Sequence, residues 1–346
     1  MIGRRGVVAL LVLALGGVPA DGRADAGFAT PYPFSREHQP GDTYMGVRLL
    51  GVLKLASVRV NGHLLTGLSA LAWDDDEEVL YALSDRGVLF HLWLRFDEQG
   101  LLADARALRA FALRDVRGRP LAGRWADSEG LVARNADNGV RGDSELLVSF
   151  ERMPRVLRFT PAGEAVGGLA LPEPLRERAN YRSRNRMLES LAWHPRHGAL
   201  SAPEQPLHDA ADGHVPLHAL GSRRYWHYPL APEPNAALTA LEVLADGSLL
   251  TLERGYGVFF VPVITTLRRI RMLPARDGAV LDATTVARFS TGQGWALDNF
   301  EGLTRQIGSR ILLVSDDNAR AFQSTLLAAF ELLDTDSSAP AAVDRE

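Results

Sequence analysis

One short pattern recurs five times along this chain, and its spacing restricts the fold more than any other feature. The five copies begin at Gly67, Ser128, Leu188, Leu238 and Phe300, so successive units start 50 to 62 residues apart. Three copies place a glutamate two residues before a leucine, in "SEGL", "LESL" and "FEGL". Each unit continues with a polar turn, a second apolar run that ends in acidic residues, and a third run that is often aromatic. A repeat of this length indicates that similar units pack side by side.

The apolar runs within each unit have the character of short strands. They are about four to eight residues long and are bounded by Gly, Asp, Asn or Pro, and extended helical periodicity is missing almost everywhere. Antiparallel sheets of four strands that repeat about every 40 to 60 residues predict an all-β fold, the β-propeller. We count five blades, and a sixth could occupy residues 201–236 or 256–298. A β-sandwich or two small β-domains are the alternatives.

We make separate structural predictions for the segments outside the repeats. The run "MGVRLLGVLKLASV" at 45–58 has no unit of its own, and we expect it to supply the outer strand of the last blade. Residues 44–333 would then form a single domain that joins its own chain ends. Residues 27–43 are rich in turn formers and predict an irregular lead-in, and residues 334–346 are polar and predict a disordered tail.

The N-terminal residues 1–26 have the pattern of a secretory signal peptide. Arg4 and Arg5 precede an apolar run at 7–15, and small residues follow it. This run is shorter than the roughly 20 residues that span a bilayer. The pattern predicts a periplasmic or secreted protein with no integral membrane segment after signal removal; a buried strand or a membrane anchor is the alternative.

Composition limits the chemistry and the partners. The chain has no cysteine, which excludes disulfides, thiolate nucleophiles and zinc–thiolate sites. Its formal net charge of -4 gives no basic surface for a nucleic acid, so we expect no nucleic-acid partner. We expect a monomer that takes a small-molecule substrate.

The repeated glutamates are expected to meet at one place. In an antiparallel hairpin the start of the first strand and the end of the second lie at the same end, and the innermost strand of each blade lines the central channel. Glu129, Glu189 and Glu301 should therefore ring one mouth of that channel. The residues that close the second strands should join them; they are Asp85, Arg86, Glu151, Arg152, Glu204, Glu253, Arg254, Asp316, Asp317 and Asn318.

So many carboxylates in a partly desolvated mouth need compensating cations. Arginines can supply some of that compensation, and a Ca²⁺ ion can supply the rest. Ca²⁺ takes about six to eight oxygen ligands. A purely structural interpretation also stands, in which the acids are solvated turn residues or Glu–Arg pairs that lock neighbouring blades.

With these motifs in view, the chain resembles the phytase-like family of secreted bacterial proteins, whose domain is described as "esterase-like activity of phytase". The matching pieces are "GLSALAWD…LYALSDRG", "DSEGL…LLVSFER", "NRMLESLAW", "LLTLERGYG" and "DNFEGL…LLVSDDN". They extend from about Gly67 to Leu332. The resemblance implies a propeller and a hydrolase of phosphoesters or carboxylic esters.

On the pattern of calcium-dependent propeller phytases, the resemblance also implies roles for individual residues. The implied metal ligands are Glu129, Glu189, Glu301, Asp316 and Asp317, and the three glutamates are also the implied catalytic residues. Arg152, Arg254 and Arg186 would hold phosphate oxygens, and a water on the metal would be the nucleophile. The first unit has Gly67 and Ser69 where others have glutamate, and the fourth opens with "LTAL" without an acid, so the implied ring is incomplete.

Other functions and other motifs remain open at this point. A non-enzymatic propeller that binds a ligand or a protein, and a lactonase-like propeller hydrolase, are the two alternatives to the phytase-like hydrolase. Ser144 in "GDSELL" resembles a serine-esterase nucleophile but lacks a downstream Asp-x-x-His partner. The histidines between 208 and 227 fit no recognised ligand spacing, and we expect a loop near the channel mouth there.

Overall fold

The computed structural model describes residues 27–256, 262–272, 276–320 and 322–333. The predicted signal peptide at 1–26 and the predicted tail at 334–346 lie outside these residues. In the described part of the chain, no helix combines the length and the apolar character that crossing a membrane would require.

Short strands precede the first repeat, and each repeat then forms one antiparallel sheet. The leading strands are β1 (Ala29–Pro31), β2 (Thr43–Tyr44), β3 (Val47–Leu55), β4 (Arg59–Val60) and β5 (His63–Leu64). Blade 1 contains β6 (Leu68–Asp74), β7 (Val79–Ser84), β8 (Val88–Phe96) and β9 (Leu102–Ala112). Blade 2 contains β10 (Ser128–Arg134), β11 (Glu145–Phe150), β12 (Arg155–Phe159) and β13 (Ala165–Leu169).

The remaining repeats follow the same order from the centre outward. Blade 3 contains β14 (Leu188–His194), β15 (Gly198–Pro203), β16 (His214–Ala219) and β17 (Tyr225–Pro229). Blade 4 contains β18 (Ala237–Val243), β19 (Leu249–Gly255), β20 (Ile264–Ile270) and β21 (Ala283–Ser290). Blade 5 contains β22 (Asn299–Arg305), β23 (Arg310–Asp316) and β24 (Thr325–Leu332), followed by β3. The helical elements are one turn of α-helix, α1 (Glu173–Arg176), and 3-10 turns at Gly123–Trp125, Arg178–Asn180 and Thr291–Gln293.

The five inner strands close into a ring. In this ring β6 contacts β10, β10 contacts β14, β14 contacts β18, β18 contacts β22, and β22 contacts β6 again. The predicted β-propeller is therefore confirmed, with five blades. The regions at 201–236 and 256–298 do not form a sixth blade, since their described strands complete blades 3 and 4.

Every inner strand carries a β-bulge at the same place. In each blade the inner strand has one more residue there than the second strand, for example between Leu188 and Ser190 opposite Pro203 and Ala202. A bulge adds a residue to one strand and redirects its side chain. The bulge positions are Ser69, Glu129, Glu189, Thr239 and Glu301, so the repeated glutamates occupy a distinct backbone environment.

The small residue after each bulge allows the inner strands to approach closely. A Cβ at Gly130 would lie 2.6 Å from the carbonyl oxygen of Glu189, and a Cβ at Gly302 would lie 3.0 Å from Cα of Ala70. The next residue in every unit is a buried leucine that faces the ring; these leucines are Leu71, Leu131, Leu191, Leu241 and Leu303. They leave a central cavity of only about 10 Å³, which is near the lower limit for a single water.

The ends of the chain meet in blade 5, as the sequence predicted. Strand β3 pairs antiparallel with β24, placing Leu53 opposite Leu327 and Leu49 opposite Phe330. Within the lead-in, β1 adds a further strand outside β3. Phe34 also packs into the core, with its ring centroid 6.1 Å from that of Phe330. The closure thus rests on strand pairing and on buried apolar contacts.

We expect Phe330→Ala to lower the free energy of unfolding by about 3–5 kcal/mol, because the lost ring leaves a cavity in this closure. Urea unfolding of the wild type and the variant would measure the difference. Phe322→Ala is the matched control, since Phe322 is 81% exposed, and it should change stability by no more than about 0.5 kcal/mol. Equal effects of the two substitutions would contradict the closure.

Candidate functional site

The bulge positions supply three carboxylates to one mouth of the channel. Glu129, Glu189 and Glu301 come from blades 2, 3 and 5, and the charges of Glu189 and Glu301 both act on Glu129. In blades 1 and 4 the bulge residues bond to the backbone instead. Ser69 donates to the carbonyl of Ser128 at 2.8 Å, and Thr239 donates to the carbonyl of Leu252 at 3.2 Å. We call these five positions the bulge ring.

A second ring of five residues lies where the second strand of each blade ends. Its members pair with the residue that leads into the inner strand: the amide of Glu151 donates to the carbonyl of Asp127 at 2.9 Å, and Asp316 lies opposite Asn299. This ring, which we call the rim ring, consists of Asp85, Glu151, Glu204, Arg254 and Asp316. Four of its five members are acidic.

Asp127 belongs to the same site, although the sequence analysis did not select it. Carboxylate oxygens of Asp127, Glu129 and Glu151 all lie within 4.8 Å of one another. The similarity of "DSEGL" to "DNFEGL" conceals this role, because in the structure Asp127 corresponds to Asn299 and not to Asp298. Asp298 instead accepts from the amide of Ser324 at 2.7 Å. Strand register was the missing information.

Burial and mutual repulsion raise the pKa values of these carboxyl groups. Burial, followed by the charge of Glu189, raises the pKa of Glu129 well above its usual value. Burial, followed by the charge of Glu204, does the same to the pKa of Glu189. The pKa of Glu151 and that of Asp316 rise to about 8, again mainly through burial. Without a cation, the mouth therefore holds protons at neutral pH.

Arg254 compensates one side of the mouth. Its guanidinium bonds to Glu301, donates to Glu204 at 2.8 Å and donates to Asn299 at 2.7 Å. It also lies 5.4 Å from the ring centre of Tyr256. Arg254 thereby links blades 3, 4 and 5, and both of its terminal guanidinium nitrogens donate to protein acceptors. The opposite side, around Asp127, Glu129 and Glu151, has no buried arginine among the described residues.

The other residues selected from the sequence lie at different distances from this centre. Arg152 is half exposed, and its Nε lies 3.0 Å from Asp127. Arg186 is half-buried and directly precedes Met187, whose amide donates to Glu151 at 3.2 Å. Within the described residues Arg186 has no ion-pair partner. Arg152 thus pairs with an acid of the mouth, and Arg186 is next in sequence to a residue whose backbone contacts the mouth.

The structure directs Asp317 and Glu253 away from the mouth. Asp317 accepts from the hydroxyl of Thr66 at 2.6 Å and from the hydroxyl of Thr325 at 3.0 Å, so it fastens blade 5 to the segment before blade 1. Glu253 bonds to Tyr228 and to Arg268. Because successive side chains in a strand point to opposite faces, Asp316 and Arg254 face the mouth while their neighbours do not.

The open side has the donor set of a hard cation. The Asp127 oxygen that lies 3.0 Å from Arg152 Nε accepts no hydrogen bond from any described residue, and neither does one buried oxygen of Glu204 on the side of Arg254. Carboxylates are the ligands that Ca²⁺ prefers, and three of them within 4.8 Å can contribute to its shell. The residues present therefore fit a calcium ion, and the described residues offer no histidine or cysteine at this place.

The comparison with protein families agrees with these features. A family model described as "Phytase-like: Esterase-like activity of phytase" matches residues 63–319. The chain belongs to the phytase-like family. No curated protein matches this sequence.

Two solved structures are similar to this phytase-like chain at a low level. "Crystal structure of RRP9 WD40 repeats" has 11% identity and a TM-score of 0.40, covering 82% of this chain and 100% of that one. "Structure of U3-55K" has 11% identity and a TM-score of 0.39, covering 78% of this chain and 97% of that one. Scores of this size support no inference about the phytase-like chain.

We expect the cation-free protein to lose stability as pH rises from about 5 to about 8. A carboxyl whose folded-state pKa is raised binds more protons in the folded state, so raising the pH removes stability. The pKa of Glu151 rises from 4.5 to about 8, and Glu151→Gln should make the loss smaller. Urea unfolding in EDTA across this pH range measures it. The exposed Glu98→Gln should follow the wild type, and a wild-type stability that rises with pH would contradict the assignment.

We expect Arg254→Met to lower the free energy of unfolding by about 3–5 kcal/mol, because Glu204 and Glu301 would be left without their buried partner. The double variant with Glu204→Gln should recover part of this loss. Arg95→Met is the control, since Arg95 is exposed and should have little effect. Chemical unfolding of all four proteins would test this, and a double variant less stable than Arg254→Met would refute the pairing.

Proposed function

We propose that this phytase-like propeller is an exported hydrolase that acts on phosphoesters with the help of Ca²⁺. The observation that carries the proposal is the convergence of eight carboxylates on one mouth, with Arg254 as the buried cation among them. The eight are Asp85, Asp127, Glu129, Glu151, Glu189, Glu204, Glu301 and Asp316.

The charge of the mouth determines how a phosphate group would be held there. Ionised carboxylates repel a phosphate, so the mouth becomes attractive to one only after it has bound cations. Asp127, Glu129 and Glu151 would hold the calcium ion, with Glu189 beside them. A bound Ca²⁺ supplies polarisation of a phosphoryl oxygen and a more acidic water.

The chain's own residues would divide the remaining work. Arg152, which pairs with Asp127, and Arg186, which precedes Met187, would orient phosphate oxygens through paired N–H donors. Arg254 is bonded to Glu204 and Glu301, so its role in the proposal is to fix the position of these glutamates. Asp316 remains a candidate ligand on the side of blade 5. Asp317 is left out, because its oxygens accept hydrogen bonds from Thr66 and Thr325.

One observation favours a second candidate, a non-enzymatic propeller that binds a ligand. The Arg254 pairs with Glu204 and Glu301 close part of the mouth with protein contacts, as expected for a structural seal. A lactonase-like hydrolase of carboxylic esters would use the same carboxylates. We also propose that the protein acts in the periplasm or outside the cell, as a monomer.

We expect hydrolysis of phosphomonoesters, phytate among them, that depends on added Ca²⁺. Glu129→Gln should lower kcat/KM for this reaction by at least about tenfold, because it removes a ligand of the cation. Ca²⁺ should also raise the melting temperature of the wild type and raise that of Glu129→Gln much less. The matched control is the exposed Glu98→Gln, which should behave as the wild type in both assays.

The outcomes separate the candidate functions. A calcium-dependent rise in melting temperature without hydrolysis of any ester would favour the binding propeller. Hydrolysis of carboxylic esters alone would favour the lactonase-like enzyme. If Ca²⁺ changes neither the melting temperature nor the rate, the cation-dependent proposal is wrong.

A further inference from the structure

The opposite mouth of the channel opens into a cavity of about 700 Å³. The far ends of the five inner strands and the turns after them line it, and its volume lies within the range of small-molecule sites. The buried leucines at the centre of the ring separate it from the acidic mouth, because they leave only about 10 Å³ between the two. The cavity is therefore a separate place for a ligand.

Two tryptophans give this cavity flat apolar walls. Trp73 and Trp193 occupy equivalent positions of β6 and β14, two residues beyond the leucines of the ring. Trp193 is 37% exposed, and the guanidinium of Arg134 lies 3.9 Å from the centre of its ring. The indole nitrogen of Trp73 donates to Asp75 at 3.2 Å. Trp73 is half-buried, and partly exposed indole rings offer stacking surfaces to planar ligands.

Arg305 gives the same cavity a cation with unused donors. It occupies the equivalent position of β22, and its guanidinium donates no hydrogen bond to any described residue. Its Nε is buried and without a partner. Its charge does act on the carboxyl of Glu242, yet the two oxygens of Glu242 accept from the backbone amides of Val243 and Arg305, at 2.9 and 3.0 Å. Buried donors without acceptors carry a free-energy cost that an anionic ligand would remove.

Two of the other charged side chains of the cavity have protein partners, whereas the exposed Asp137 has none among the described residues. Arg134 donates to Glu145 at 3.1 Å, and Asp75 accepts from Trp73. Because Asp75, Asp137 and Glu242 also line the cavity, a polyanion would meet repulsion there. For an anionic ligand, the cavity therefore offers the unused donors of Arg305 beside the rings of Trp73 and Trp193.

We propose that this cavity binds a small planar aromatic anion with a single negative charge, such as an aryl carboxylate. The carboxylate accepts from the guanidinium of Arg305, and the ring lies against Trp193 or Trp73. This site is independent of the proposed hydrolase: it uses no carboxylate of the acidic mouth and needs no metal.

The test uses 2-naphthoate as the probe and follows the indole N–H signals of the full chain by two-dimensional NMR in EDTA. The chain has six tryptophans, and Trp73→Phe and Trp193→Phe assign the two relevant signals. We expect saturable shifts of the Trp73 and Trp193 signals, with the other four unchanged. Arg305→Gln should weaken binding by about tenfold or more, and Arg95→Gln, at an exposed arginine, should bind as the wild type.

Two further probes distinguish the contribution of the aromatic ring from that of the negative charge. The neutral 2-naphthamide and the ringless acetate should each bind at least about tenfold more weakly than 2-naphthoate. Unshifted signals of the four distant tryptophans in Arg305→Gln would establish that this variant is folded. The proposal is overturned if 2-naphthoate shifts neither cavity signal, if folded Arg305→Gln binds as well as the wild type, or if 2-naphthamide binds equally well.

Discussion

The close approach of five strands around one axis is the constraint on which the rest of this structure depends. The residue after each bulge must be small, as Gly130 and Gly302 show by the contacts that a Cβ would make there. The residue before it occupies the bulge and faces the mouth, and the leucine after it fills the centre of the ring. A single "EGL" pattern thus supplies a carboxylate, a strand contact and a central plug, which explains why these residue types recur together.

The same geometry creates an electrostatic problem at the mouth. Bulge-ring and rim-ring carboxylates are brought together from different blades, and their burial makes the charged forms costly. The protein compensates only one side, where Arg254 joins Glu204 and Glu301. On the other side carboxylate oxygens of Asp127, Glu129 and Glu151 lie within 4.8 Å of one another, so their fully ionised state is costly. Arg254 compensates the carboxylates on one side of the mouth and leaves those on the other side without a buried arginine among the described residues. This asymmetry makes the mouth a candidate site and not merely a junction between blades.

The two mouths of one channel have opposite chemistry because the leucine plug isolates them. The acidic mouth brings carboxylates together, whereas the opposite cavity combines two indole rings and three acids with Arg305, whose buried Nε has no hydrogen-bond partner among the described residues. The same inner strands line both mouths. The bulge positions face the acidic mouth, and the positions four residues later line the opposite cavity. Repetition fixes where side chains gather, and differences among the blades decide what gathers there: the position that holds Trp73 in blade 1 holds Arg305 in blade 5.

The sequence by itself predicted a propeller, counted five units while leaving a sixth blade open, assigned the run at 45–58 to the closure, and placed the glutamates at one mouth. These predictions follow from local patterns and their spacing, which can be recognised without knowing any tertiary contact. Only the tertiary structure decided which acids converge. Asp127 and Asp316 face the mouth while Asp298 and Asp317 do not, because a bulge or a one-residue change of register reverses the direction of a side chain in a strand. Direction across a sheet depends on pairing between distant segments, and no short stretch of sequence contains it.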